Sequence, residues 1–331
     1  MRRYIIRRLL QSVLILFVLS LIVFILLRIA PGANPALIIC GINCPKDRLE
    51  ALEEQLGLND PYFPVSVTSD PPFVEFATDS QYGSWATSLF SGSLGKDWNG
   101  NSVGAELQRR LPVTLELLVI TTIMTVTIGV PFGIISAVGR NSPADYTARF
   151  SSVLALAIPN FWLGTLVLLV PQDQWGYAPP ITHAVSFFDS PWDNLRQFVP
   201  PAAVLAAVSA ASIMRLTRSS MLEVMRQDYI RTARSKGLRE QVVIGRHALK
   251  NSLIPVTTVL GLQVAGLFGG AIIVESIFNL PGVGVYELGS LIRKQYQVAQ
   301  TLTLYIGVIV VLLNLTVDVA YAWLDPRIRY S

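Results

Sequence analysis

Hydrophobic positions along this chain gather into six long runs: residues 9–27, 115–138, 151–170, 198–214, 253–277 and 301–323. A helix rising ~1.5 Å per residue needs about 20 residues to cross a ~30 Å hydrocarbon core, and each run is near that length. The pattern predicts an all-α polytopic membrane protein with six transmembrane helices. The fourth run is the shortest, with 17 residues, and it opens on Pro200 and Pro201. Prolines fit a first helical turn, where their missing N–H would have no partner. Its alanines (202, 203, 206, 207, 210 and 211) suit close backbone packing inside a bundle.

Two polar segments are too long for simple turns. Residues 29–112 follow the first helix, which with its start occupies 1–28. Asp47 to Leu58 carries Leu49, Leu52, Leu56 and Leu58 at roughly helical spacing and predicts a short amphipathic helix. Asp60-Pro61, Pro64 and Pro71-Pro72 break regular structure, and the Gly, Ser and Asn between Gly92 and Gly104 predict a loop. The segment forms either a small cap or a loosely ordered tether. The remaining residues, 113–331, form a five-helix core that contains the second polar segment, 215–252. That segment is mostly helical by pattern and punctuated by Gly237, with an apolar face of Val242, Val243, Ile244, Ala248 and Leu249 after it. A glycine in the left-handed conformation lets one helix end and another begin at an angle, so the pattern predicts a helix–glycine–helix elbow. The alternative is a basic loop that only fixes topology.

Composition agrees: 52% of the 331 residues are hydrophobic and 15% charged, where soluble domains carry about a quarter charged. A soluble two-domain enzyme is excluded. A pI near 9.1 invites a nucleic-acid reading, but the basic residues are placed by topology. The amino end, 139–150, 215–252 and the carboxyl end together hold 17 basic residues against five acidic ones. The alternate segments hold eight basic residues against fourteen acidic ones. The inward excess puts both termini in the cytoplasm, with the elbow beside them and 29–112 outside. The apolar core of the first helix is longer than the ~7–15 residues of a signal peptide, so it stays as a span.

Chemistry-bearing motifs are few. There is no Gly-x4-Gly-Lys-Ser/Thr phosphate loop, so no ATP site is expected in this chain. His183 lies outside and His247 inside, which leaves no His-centred triad or multi-His metal site. Cys40 and Cys44 share the oxidising side and close a tight disulfide loop or remain as free thiols. Glu116, Glu275 and Asp318 are intramembrane charges near span ends, where interface solvation competes with a pathway role. In the fifth span, Gly266-x3-Gly270 permits close helix approach. Gln263, Gly269 and Glu275 are candidates to face a pathway, with packing against another subunit as the alternative.

The elbow resembles the coupling region of the membrane subunits of ATP-driven, binding-protein-dependent importers. Their general motif is Glu-Ala-Ala, three residues, Gly, nine residues, then Ile-x-Leu-Pro. Arg231-Thr232-Ala233 stand at its first three positions, Gly237 at its glycine, and His247, Leu249 and Lys250 at Ile, Leu and Pro. The branch that handles dipeptides, oligopeptides and nickel is more similar. The shared fragments run in order: Leu27-Arg-Ile-Ala-Pro-Gly32, Leu56-Gly-Leu-Asn-Asp-Pro61, Leu111-Pro-Val-Thr-Leu-Glu116 and Ile158-Pro-Asn-Phe-Trp162. They continue with Leu216-Thr-Arg-Ser-Ser-Met-Leu-Glu223, Val274-Glu-Ser-Ile-Phe278, Pro281-Gly-Val-Gly284, Asn314-Leu-Thr-Val-Asp318 and residues 324–330. The long segment after the first helix matches the first of that branch's two permease subunits.

The resemblance implies a type I importer-like bundle in the cell membrane, with no cofactor of its own and no enzymatic activity. It implies as partners a second homologous permease, two cytoplasmic ATPase subunits that bind ATP and Mg, and an external substrate-binding protein. Arg231, Thr232, Ala233, Gly237, Leu238, His247 and Leu249 would then couple to an ATPase, and the cargo would be di- or oligopeptides. The alternatives are a nickel-complex importer of the same branch, and a secondary transporter or channel acting without ATP.

Overall fold

The computed structural model describes residues 2–29, 34–41, 44–67, 74–76, 80–98, 100–177 and 184–324, and these are almost entirely helical. Helix α1 (Arg2–Ile29) is followed by α2 (Pro35–Cys40), α3 (Lys46–Gln55), strands β1 (Val65–Val67) and β2 (Val74–Phe76), and α4 (Gln81–Phe90). The strands pair antiparallel, Val65 opposite Phe76. Next come α5 (Val103–Val138), α6 (Pro143–Ala157), α7 (Asn160–Trp175), α8 (Pro191–Val224), α9 (Asp228–Ser235) and α10 (Glu240–Val242). A π-helical turn, Val243–Ala248, leads into α11 (Leu249–Ile277), followed by α12 (Val283–Ile292) and α13 (Tyr296–Leu324).

Among the described residues five helices are long and apolar enough to span a membrane: Ile6–Ile29, Val103–Val138, Pro191–Val224, Glu240–Ile277 and Tyr296–Thr316. The third predicted span is not straight. It is the pair α6 and α7, bent by 101°, and it counts as a sixth crossing only when the two are taken together. The cause is Pro159, whose ring disfavours helix at the residue before it, and Ile158 is extended at φ −87°, ψ 123°.

The chain divides into two compact units. The first comprises Met1–Ile5, Arg110–Val285 and Ile309–Ser331. Its centre is α8, whose Ala202, Ala206, Ala210 and Ala211 are buried as small packing residues. Glycines on α5 exploit this. A Cβ on Gly129 would lie 2.9 Å from the Ala210 carbonyl, and one on Gly133 would lie 2.6 Å from Thr217 Cβ. Within this chain close helix approach occurs at Gly129-x3-Gly133, whereas Gly266 has nothing within 4 Å and Gly270 meets a Leu205 methyl. Pro200 and Pro201 are also not at a helix start, because polar turns extend α8 back to Pro191. Pro200 cannot donate to the Arg196 carbonyl, and the Tyr177 hydroxyl donates to it instead at 3.4 Å.

The second unit comprises Ile6–Arg109 and Tyr286–Val308. Here α4 docks on α1 through a cluster of Phe24, Phe63, Tyr82 and Trp85 with ring centroids 5.2–5.9 Å apart. Trp85 Nε1 donates to Thr301 Oγ1 at 3.1 Å, and Tyr82 OH pairs with Ser20 Oγ at 2.8 Å. Arg28 stacks 3.6 Å over the Phe24 ring and donates to Gln81 and Gln300. The described part of 29–112 is thus packed onto α1 and α13 through a shared core.

Candidate functional site

The elbow begins where α8 stops. Gln227 turns extended, and Asp228 opens α9, where a carboxylate suits the positive end of the helix dipole. The short helix ends at Lys236, and Gly237 takes φ +74°, a value that side-chain-bearing residues rarely adopt. Arg239 is extended, and α10 then starts back at Glu240. Across this reversal the Arg234 guanidinium grips the Glu240 carboxylate with two bonds, Nη2 to Oε1 at 2.7 Å and Nε to Oε2 at 3.2 Å. That hydrogen-bonded carboxylate raises the Arg234 pKa above its ordinary value. A second tie joins the arms, with Asn251 Nδ2 donating to Tyr229 OH at 2.8 Å.

Beneath the reversal lies an apolar core of Ile230, Ala233, Val243 and Ala248, seated on Ala137 of α5 and Met221 of α8. Fully burying one side chain the size of Ile230 contributes about 1.5–3 kcal/mol, so this core gives the elbow a fixed shape. The predicted coupling residues divide accordingly. Ala233 is buried in the core, and Leu249 packs against its edge. Arg231 pairs with Asp228 at 3.4 Å, and Thr232 Oγ1 donates to the Asp228 carbonyl, both on the exposed side. His247 is half-buried, and Gly237 is exposed. Leu238, Tyr229 and Val242 present apolar surface to the outside of the elbow.

One helical turn from the elbow core is a buried ion pair. Asp145 sits in the first turn of α6, and Arg218 of α8 reaches it with Nε on Oδ1 at 2.8 Å and Nη2 on Oδ2 at 2.9 Å. Ser136 Oγ of α5 donates to Oδ1 at 2.5 Å, and the Asn141 amide donates to Oδ2 at 3.0 Å. Asn141 adopts φ +64° in the turn that supplies this bond.

Near the other end of α11 lies a second buried carboxylate, Glu275. Thr114 Oγ1 donates to its Oε1 at 2.6 Å while accepting the Val283 amide at 2.9 Å. The Val285 amide donates to Oε2 at 3.1 Å. Glu275, expected to be able to face a pathway, is instead consumed inside the fold, because its oxygens cap the turn into α12. Gly269 is exposed, in line with Leu262, Gly266 and Ile273 on one open face of α11. Gln263 is half-buried beside that face, and its Oε1 has no partner among the described residues. Cys40 and Cys44 are joined as a disulfide with Cα atoms 5.3 Å apart, at the end of α2.

Two family models match the chain. The inner membrane component of binding-protein-dependent transport systems covers residues 129–330, and the amino-terminal part of such components covers residues 1–118. A dipeptide transport system permease protein of Alkalihalophilus pseudofirmus is 37% identical over the full length of both chains. An oligopeptide transport system permease protein of Bacillus subtilis is likewise 37% identical over the full length of both. The chain belongs to this family of inner-membrane permeases. An inward-facing structure of the MetNI methionine ABC transporter shares the fold, with a TM-score of 0.55 and 17% identity over 66% of this chain and 96% of that one.

In this permease several fragments behind the resemblance acquire a physical reason. A Cβ on Gly282 would strike the Glu275 carboxylate, and one on Gly284 would lie 2.8 Å from Ile272 Cα. The Pro281-Gly-Val-Gly284 turn can therefore wrap tightly on Glu275 only as written. Thr114 and Glu116 of the second-span fragment are anchors as well, Glu116 accepting from Asn194 Nδ2 at 2.7 Å. The Asp145–Arg218 pair escaped the sequence reading because Asp145 counts there only as a loop charge. Its available signal was Arg218 inside the fragment Leu216–Glu223. Residues 30–32, Pro71, Pro72, His183 and 325–330 lie outside the described residues. In the second unit a cavity of about 620 Å³ opens among α2, α3, α4 and residues 294–298, lined by charges of both signs that include Arg28, Glu53, Asp60 and Lys96.

Proposed function

We propose that this permease is one half of the translocation pathway of an ATP-driven importer of di- or oligopeptides. Its elbow docks on a cytoplasmic ATPase, and its termini lie on the same side. A second homologous permease completes the pathway, two ATPase subunits bind ATP and Mg, and an external binding protein delivers the peptide. Full-length likeness to relatives named as dipeptide and oligopeptide permeases supports the cargo class. The elbow is the observation that carries the mechanism. It is a preformed, internally braced reversal with Leu238, Tyr229 and Val242 exposed, the form a lever needs to seat in a groove of a two-state motor. Coupling then follows because the motor's nucleotide states favour different elbow positions.

Co-expression of the permease pair with its ATPases and reconstitution into liposomes tests the reading. ATP-dependent uptake of a labelled peptide that requires the binding protein is the expected result. Transport by this chain without ATPases, or uptake of nickel complexes in place of peptides, would overturn it.

A further inference from the structure

The buried pair Asp145–Arg218 binds three separate pieces of backbone at one point. Through Ser136 it holds the end of α5, through Asn141 the turn between α5 and α6, and through Arg218 the last two turns of α8. Both carboxylate oxygens are filled, and Asp145 is fully buried. The elbow's apolar core rests on the next residues along those same two helices. Ala137 follows Ser136 directly, and Met221 follows Arg218 by about one turn. A lever passes on motion only when its bearing does not yield. Without the pair, the turn over residues 139–142 is a hinge: it holds Gly139 and a left-handed Asn141, and displacement of the elbow would be absorbed there.

We propose that Asp145–Arg218 is a positioning pair for energy coupling, locking the α5–α6 corner to α8 so that the elbow drives both helices as one body. The proposal rests on the importer reading given above. Arginine is required in this role because its planar fork reaches both carboxylate oxygens, whereas lysine would keep the charge and reach one. The carboxylate is required because it accepts from Ser136 and Asn141 at the same time, which an amide cannot do with its NH2 end.

The test uses the complete transporter in liposomes, with both permeases, the ATPases and the binding protein. Variants Asp145→Asn, Arg218→Lys and Ser136→Ala are compared with the wild type for assembled complex, ATP turnover and uptake of labelled dialanine or tetra-alanine, whichever the binding protein retains. The readout is peptide transported per ATP hydrolysed, a ratio that loss of folded protein alone does not change. Asp145→Asn and Arg218→Lys should lower it about tenfold, and Ser136→Ala about threefold, in the range by which positions between coupled sites modulate coupling. Should Asp145→Asn fail to assemble, Arg218→Lys and Ser136→Ala carry the decision. An assembled Arg218→Lys or Ser136→Ala complex with the wild-type ratio would overturn the proposal. So would variants that lose complex, turnover and uptake in equal proportion, since the pair would then be only a staple. A wild-type complex with no ATP-dependent uptake would instead bring down the importer reading itself.

Discussion

Among its described residues the first unit buries two carboxylates and satisfies them in opposite ways. Asp145 is met by a guanidinium, a hydroxyl and one amide, and it joins α5, α6 and α8. Glu275 is met by a hydroxyl and a backbone amide of the turn that it caps, and its bonds join α11 to α5 and to the start of α12. The first solution concentrates dependence on one distant side chain. The second divides it between the Thr114 hydroxyl and a local backbone amide that no side-chain substitution removes. Removing one partner should therefore hurt the Asp145 corner far more than the Glu275 turn.

The largest expected effect follows directly. Arg218→Ala leaves a buried carboxylate without its cation and should cost about 2–4 kcal/mol, discounted from a deep site because Arg218 is partly reached by solvent. Thr114→Val removes one donor from Glu275 and orphans the Val283 amide, and should cost about 1–3 kcal/mol. Thermal unfolding of the purified permease in detergent reads both. Equal losses would mean that the cation adds nothing beyond an ordinary hydrogen bond. A double change to apolar residues, Asp145→Leu with Arg218→Met, should recover stability relative to Arg218→Ala, because no charge is then stranded.

The glycines of the Glu275 turn sharpen the other side of the comparison. Gly284→Ala drives a methyl against Ile272 backbone, which cannot move aside, and should destabilise by about 1–3 kcal/mol. Gly282→Ala meets the end of the Glu275 side chain, which can shift only by breaking its bonds. If pairing Gly282→Ala with Glu275→Ala does not relieve the loss, the turn is not built on that carboxylate.

How far this was legible from sequence depends on what each feature needs. The apolar spans and the glycine reversal follow from local pattern, since an apolar run and a lone Gly237 carry their meaning within a few residues, whereas the polar turns that carry α8 back to Pro191 do not show in it. The bend at Ile158 was also written locally, in Pro159 and Asn160 after it, but the apolar stretches on both sides read together as one span. The Asp145–Arg218 pair was not legible, because 73 residues separate its members and only Arg218 lies in a shared fragment, which does not point to Asp145. Glu275 was misread for a related reason. Its depth in the span was visible, whereas the hydroxyl and amides that consume it come from Thr114 and from a turn still to be folded.

The elbow offers an intermediate case, since its shape depends on backbone rather than on a buried charge. Gly237→Ala meets no neighbouring atom, so its cost is the ~1–2 kcal/mol of placing a side chain at φ +74°. Gly237→Pro cannot reach that φ and should abolish coupling, read as loss of uptake together with loss of binding-protein-stimulated ATP hydrolysis. If both survive in the reconstituted complex, the elbow is not the lever.

The smallest effect on the chain alone belongs to the open face of α11. Gly266 and Gly269 have nothing within 4 Å where a Cβ would stand, and glycine inside a helix costs about 0.5–1 kcal/mol relative to alanine. Gly266→Ala and Gly269→Ala should therefore leave the isolated permease as stable as before, or slightly more so. In the complete transporter the same methyl groups enter whatever space the partner permease or the passing peptide occupies. Lost assembly would place the second subunit on this face. Normal assembly with reduced uptake would place the pathway there. Unchanged assembly and uptake would show that the face is open to lipid, and Gly269 would then be dropped as a pathway residue.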